Sequence, residues 1–146
     1  MIRVLWLLRR KPGISFAQFR EHYETSHAVL GQKYLGHLLL GYRRNYVLPA
    51  EAATSPVLQR VLAAKGWDYD CVAEWDLADE AAFEQVVAIL SDPEIGAIFH
   101  ADEEHFLDRA AVRLVLADRS ETDTSQCTAA VPQALLSPAT TNLWDI

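Results

Sequence analysis

Apolar residues dominate residues 2–9, a run of strand length that ends at a Lys11-Pro12-Gly13 turn. Ser15, with Gln18 three residues later, has the form of a capping-box helix start. Phe16, Phe19, Tyr23 and Leu30 then recur at helical spacing, and the helical stretch runs to about Leu40, thinned by Gly36 and Gly41. Residues 42–47 alternate, which puts Tyr42, Arg44 and Tyr46 on one face of a second strand closed by Pro49. Residues 50–66 read as an insertion, in which Thr54-Ser55-Pro56 starts a short helix through Ala64. Residues 68–76 alternate most cleanly, with Tyr69, Cys71, Ala73 and Trp75 on one side and Asp70, Val72 and Glu74 on the other. Asp79 is placed to cap a helix carrying Phe83, Val86, Val87 and Leu90, which Asp92-Pro93 stops. Residues 93–106 predict one or two short helical turns, and residues 110–116 a fourth strand.

This order, strand-helix-strand-strand-helix-strand, predicts an α+β domain of the ferredoxin-like βαββαβ type with a four-stranded antiparallel sheet. Its helices cover one face of the sheet. The other face needs cover, and a second copy packing sheet to sheet supplies it, so a homodimer is expected. The domain spans residues 1–117 with the insertion at 50–66, and residues 118–146 form an extension. Residues 119–128 are polar and rich in Ser and Thr. The hydrophobic Val131, Leu135, Leu136, Leu143, Trp144 and Ile146 that follow predict an end segment docked on the domain, the pocket mouth or the partner subunit.

Thirteen basic and 20 acidic residues leave a formal net charge of −7, and no basic stripe offsets it. Such a surface repels phosphate backbones, so no nucleic-acid partner is expected. The two cysteines, Cys71 and Cys127, form no CxxC or zinc spacing and suit a reducing compartment. Val4 to Leu8 is too short for a signal core, and its basic residues follow rather than precede it. With no segment long enough to span a membrane, the expectation is a cytoplasmic protein without a membrane partner.

His27 is the main candidate for chemistry. It sits four residues after Tyr23 and seven before Tyr34, so one helix face carries all three, and Gly31 leaves room one turn on. The alternative is a hydrogen-bonded packing histidine. Tyr23 and Tyr34 either bind a substrate oxygen or fill the core. Trp6, Tyr42, Tyr46, Trp75 and Phe106 either line a slot for a planar ring system or form an ordinary core. Asp70 and Glu74 share a strand face, as a carboxylate pair or as cross-strand partners of Arg43 or Arg44. Asp102 either orients the His27 proton transfer or caps a helix at Glu103-Glu104-His105. His100 and His105 flank three acids, but the spacing is neither HExxH nor HxxEH, and i,i+5 does not align two imidazoles on an α-helix. No metal is expected. No phosphate loop, Rossmann fingerprint, serine elbow or haem motif is visible, so no cofactor is expected either.

Several separated pieces together resemble one family. "LLRRKPGISFAQFREHYETSHAVL", "GYRRNYV", "DYDCVAEWD", "FEQVVAILSDPE" and "DEEHFLDRA" resemble, in order, the EthD-domain proteins over residues 2–116. The resemblance implies a dimeric α/β barrel. It also implies kinship with small cofactor-free dehydratases, decarboxylases, cyclases and anthrone-type oxygenases that tailor aromatic polyketides. The family's His-Ala-Pro-Leu reads His27-Ala28-Val29-Leu30 here, which keeps the histidine and loses the proline. Asp102, Phe106 and Asp108 fall on its D-x-x-x-F-x-D pattern, while Asp102-Glu103 stands where the fungal decarboxylase-like members have Asp-His. The resemblance thus implies acid/base chemistry on an aromatic or polycyclic substrate. His27 is the expected general acid/base with Tyr23 and Asp102, and Trp6, Tyr34, Tyr42, Trp75 and Phe106 are the expected substrate contacts. A cofactor-free oxygenase and a non-catalytic binder of small molecules remain as alternatives.

Overall fold

The first apolar run forms strand β1 (Ile2–Leu8), which lies between β3 (Cys71–Leu77) and β4 (Arg113–Ala117), antiparallel to both. β2 (Leu39–Tyr46) pairs with β3 and completes a four-stranded antiparallel sheet of order β2-β3-β1-β4. This computed structural model describes residues 1–63, 67–126 and 128–132. One unit comprises residues 1–47 and 68–118 and carries the ferredoxin-like sheet with its helices; the described residues of 48–67 and 119–146 form the other. In that second unit the expected short helix is α3 (Pro56–Ala63). Leu135, Leu136, Leu143, Trp144 and Ile146, which carry most of the expected docking of the end segment, lie outside the described residues, as do Ala64, the expected end of the short helix, and Cys127. Among the described residues no helix is long and apolar enough to cross a membrane.

Local signals set the helix starts. Helix α1 (Phe16–His22) begins with the reciprocal cap, Gln18 N–H to Ser15 Oγ at 3.1 Å and Ser15 N–H to Gln18 Oε1 at 2.8 Å. Helix α4 (Glu80–Leu90) is capped by Asp79, whose Oδ1 accepts the Ala82 N–H at 2.8 Å. Two expectations change. The long helix is not one α-helix: Tyr23–His27 is a π turn, closed by the Ala28 N–H on the Tyr23 carbonyl, before α2 (Ala28–Leu35) resumes. The Thr25 hydroxyl donates to the Glu21 carbonyl at 2.7 Å and competes there for the regular ladder. The short turns expected at 93–106 are an eleven-residue helix, α5 (Pro93–Glu103). Asp92-Pro93 ends α4 and also starts α5, because Asp92 Oδ1 takes the Glu94 and Ile95 N–H groups at 3.0 Å and proline suits the first helical position.

Alternation along the strands divides the sheet into two faces. On the helix side two apolar clusters form, one around Val4, Leu35, Trp75, Leu77, Val86 and Phe99, the other around Leu8, Phe19, Tyr23, Cys71 and Phe106. Trp6 and Tyr42 pack against both. On the opposite face Arg3 makes a bidentate ion pair with Asp76 at 2.7 and 2.9 Å, and Arg43 adds a bond at 2.9 Å. The Arg3 and Arg43 hydrogen bonds outweigh burial and lower the Asp76 carboxyl to about 2. Leu114, Leu116 and Val115 on β4 remain exposed.

Phe19 is fully buried between α1 and the sheet, in contact with Tyr23, Tyr46 and Phe106. Phe19→Ala is therefore expected to lower the unfolding free energy by about 3–5 kcal/mol in urea titration; a loss below ~1 kcal/mol contradicts this packing.

Candidate active site

The carboxylate of Asp102, in the last turn of α5, accepts hydrogen bonds from three side chains of one helical turn. His27 Nδ1 lies 2.9 Å from Oδ2, His22 Nε2 lies 2.9 Å from Oδ1, and the Ser26 hydroxyl donates to Oδ1 as well. His22 and His27 are five residues apart, which on a straight α-helix puts them on different sides. The wider π turn brings them to the same carboxylate. Asp102 is thus not the N-cap of a following helix; Glu104 already closes α5. Burial, with 8 % of the residue exposed, opposes its ionisation, but the bonds from His27 and Ser26 and the charges of His27 and His22 outweigh it and hold the carboxyl at about 2.

An ionised carboxylate only accepts, so the hydrogen-bond network assigns the shared proton to His27 Nδ1. That leaves Nε2 as the nitrogen not bonded to Asp102, and His27 forms part of the wall of a cavity of about 510 Å³. The cavity lies at the seam of the two apolar clusters, with Leu8, Tyr23 and Leu107 from one and Leu35, Trp75 and Phe99 from the other in its wall. Gly31 also lines it, yet the space left by its missing side chain is already taken: an added Cβ would stand 3.1 Å from Tyr42 Cε1. Also in the wall, Arg109 Nε donates to Glu103 Oε2 at 2.8 Å.

Two phenols meet at the cavity wall, Tyr23 Oη and Tyr42 Oη being 3.0 Å apart. Burial, reinforced by the neighbouring Tyr42, raises the Tyr23 pKa well above its ordinary value. Burial raises that of Tyr42 too, against the opposing effects of the Tyr23 bond and Arg44. Both stay protonated, and whichever donates to the other, one O–H of the pair is left over. Arg44 stacks over the Tyr42 ring at 4.8 Å and is held there by Glu24, bonded through Nε and, at 2.9 Å, through a terminal nitrogen. Among the described residues, the buried Nε1 atoms of Trp6 and Trp75 have no hydrogen-bond partner. Cys71 is pushed up to about 12, chiefly by burial, and remains a thiol.

Of the residues singled out from sequence, the structure gathers His27, Tyr23, Trp6, Tyr42 and Trp75 on one cavity wall, with Asp102 behind His27. It does not bring Tyr34 or Phe106 to that wall. Tyr34 packs edge-on against Phe99 at 5.8 Å, and α2 reaches the cavity through Gly31 and Leu35 instead. Phe106 is fully buried beneath the histidines, 4.9 Å from His22 and 5.0 Å from His27. Tyr46 bonds Glu24 at 2.6 Å, and Asp70 accepts the Arg10 N–H at 2.8 Å. His100 bonds Glu104 at 3.0 Å, and among the described residues no cluster of three or more His, Cys, Asp or Glu side chains has the arrangement of a metal site. Sequence reasoning missed His22, Ser26, Glu103 and Arg109. The only available signal was the polar trio His22, Ser26 and His27 on a helix whose other inward residues are aromatic.

A model of the EthD domain matches residues 11–110 of the chain. Solved structures of similar shape include a protein described as an ethyl tert-butyl ether d (EthD) family protein from Bacillus halodurans C-125, 21% identical with a TM-score of 0.52, covering 82% of this chain and 100% of that one. At3g17210 from Arabidopsis thaliana is 15% identical with a TM-score of 0.51, over 84% of this chain and 99% of its own. Atu4242 from Agrobacterium tumefaciens is 13% identical with a TM-score of 0.53, over 85% and 98%. At these identities the likeness establishes the fold alone. No curated protein matches the chain.

Because the Asp102 carboxyl is held at about 2, below the ~3.9 of an unfolded aspartate, its contribution to stability is complete above about pH 5. It is lost as the pH falls through 4 toward 2. Asp102→Asn is accordingly expected to flatten the fall of unfolding free energy between pH 5 and pH 3, measured by urea titration at each pH. A slope equal to that of the wild type would show that Asp102 is not held low.

Proposed function

We propose that this chain, which belongs to the EthD domain family, is a cofactor-independent acid/base enzyme acting in the cytoplasm on an aromatic or polycyclic, polyketide-like substrate. The observation that carries the reading is the Asp102-held His27 beside an aromatic cavity of about 510 Å³. Such a cavity takes a planar ring system against the aromatic wall of Trp6, Trp75 and Tyr42. His27 Nε2 removes a proton from a carbon next to a carbonyl, and the electron pair moves onto that carbonyl oxygen. The free O–H of the Tyr23–Tyr42 pair donates to the developing enolate, and Asp102 stabilises the imidazolium as it forms. In a dehydration the enolate then expels a β-hydroxyl, which takes the proton back from His27 and leaves as water. In a decarboxylation His27 instead delivers the proton to the carbon that has lost carbon dioxide.

The test is mass spectrometry of products from a panel of hydroxylated polycyclic acids and anthrones, with a chelator present. His27→Gln is expected to lower turnover by about 10²-fold or more while changing ligand binding little, the usual size of a general acid/base contribution. Loss of water or carbon dioxide by the wild type alone supports the reading. Gain of oxygen would make it an oxygenase, and tight binding without product a binder. Turnover unchanged in the variant would remove His27 from the chemistry.

The sheet face opposite the helices supports a homodimer. It presents Leu5, Leu7, Val72 and the 42 % exposed Val115 beside Glu74, Arg113 and the Arg3–Asp76–Arg43 network, a face of apolar residues interleaved with charged ones. Sedimentation velocity is expected to give a dimer for the wild type and a monomer for Val115→Asp. A wild-type monomer at tens of micromolar would overturn the assembly.

A further inference from the structure

Asp102 serves two histidines, and only one of them belongs to the cavity wall. His22 lies outside that wall; its side chain is 26 % exposed against 15 % for His27. Its ring stacks on Phe106 at 4.9 Å and faces His105 at 5.5 Å. A titratable ring on the solvent side is therefore bonded to one oxygen of the carboxylate whose other oxygen holds His27.

We propose that His22 is a positioning residue that governs how firmly His27 holds a proton, acting through the carboxylate they share. The proposal rests on the reading of His27 as acid/base. A donor on Oδ1 draws negative charge away from Oδ2, and with it the stabilisation that Oδ2 gives to a His27 imidazolium. A proton gained by His22 does the same more strongly, since it places a full positive charge at 2.9 Å from that carboxylate. The two rings then titrate as a coupled pair rather than independently. With His22 protonated, His27 is the weaker base, so its Nε2 stays free of a proton, and ready to accept one, to lower pH.

The other groups around the pair do not supply this control. Glu103 and Arg109 on the cavity wall neutralise one another at 2.8 Å, and so do Glu24 and Arg44 beyond Tyr23. Tyr23, edge-on to His27 at 5.3 Å, stays protonated near neutrality. His105 reaches His22 by ring contact and bonds Asp102 only through its backbone, its N–H donating to the Asp102 carbonyl at 3.1 Å, while the carboxylate takes its side-chain bonds from His22, Ser26 and His27.

Histidine side-chain NMR titrations of the full chain test the inference, with His27 assigned by His27→Gln. His22→Phe keeps a ring on Phe106 and removes the N–H; His22→Gln keeps a donor and removes the charge. In the wild type the two resonances are expected to titrate with mutual inflections. In His22→Phe the His27 titration becomes a single step, moved up by roughly half a unit, about a threefold gain in proton affinity. His22→Gln is expected to fall between the two. His27 curves that overlay the wild type in the variants overturn the proposal, whereas a merely structural His22 would change stability and leave the His27 titration in place. Where His22→Phe does not fold, the comparison of His22→Gln with the wild type decides, since loss of the charge alone must remove the mutual inflection. A coupled titration alongside unchanged turnover in His27→Gln would sink the catalytic reading and leave the coupling standing.

Discussion

The bond set at Asp102 is the constraint on which the site depends. A carboxylate in the last turn of a helix lies at the negative end of the helix dipole, and here it is also buried. Both effects work against its charge. Three donors from a single turn, His22, Ser26 and His27, reverse the balance and keep it ionised. The same bonds tie α5 to the π turn, so the electrostatics of the site and the docking of two helical segments are one interaction. A regular α-helix cannot present residues five apart to one acceptor, and the π turn at Tyr23–His27 meets that geometric demand.

The cavity has an equally mechanical origin. Two apolar clusters grow on the helix side of the sheet, and Trp6 and Tyr42 are shared between them. Where the clusters meet, packing leaves space walled by aromatic rings. Tyr42 is fixed from three sides, by the Tyr23 hydroxyl, by the close approach of Gly31 and by Arg44 stacked on its face. Arg44 is in turn held by Glu24, whose carboxyl the Arg44 hydrogen bond lowers. A wall braced this way holds its hydroxyl pair in place, which is the preorganisation that the proposed stabilisation of an enolate calls for.

Much of the fold could be read from short stretches. The Ser15–Gln18 box, the Asp79 cap and the alternation around Cys71 to Trp75 are contained within a few residues each, and they appear as read. Asp92-Pro93 signals a stop for α4 but not the start of α5, because the apolar positions that follow it carry little helical periodicity. Within the site, His27, Tyr42, Trp6 and Trp75 stood out by residue type and inward phase. Tyr34 shares the phase of His27 along α2, but its ring packs on Phe99 and the wall takes Gly31 and Leu35 from that helix instead. His22 and Ser26 were passed over because an unbroken helix gives them no reason to face His27's partner.

The amino-acid sequence by itself determined the order of strands and helices, their caps, the inward phase of the aromatic residues and the family to which the chain belongs. Those properties rest on interactions between residues a few positions apart, or on patterns that recur along one element. The tertiary structure alone decided which polar groups meet. Asp102 lies 75 residues from His27 and 80 from His22, and nothing local to either helix specifies that contact. The sheet register and the packing of α5 specify it, and the π turn, the charge of Asp102 and the tautomer of His27 all follow from that one long-range docking.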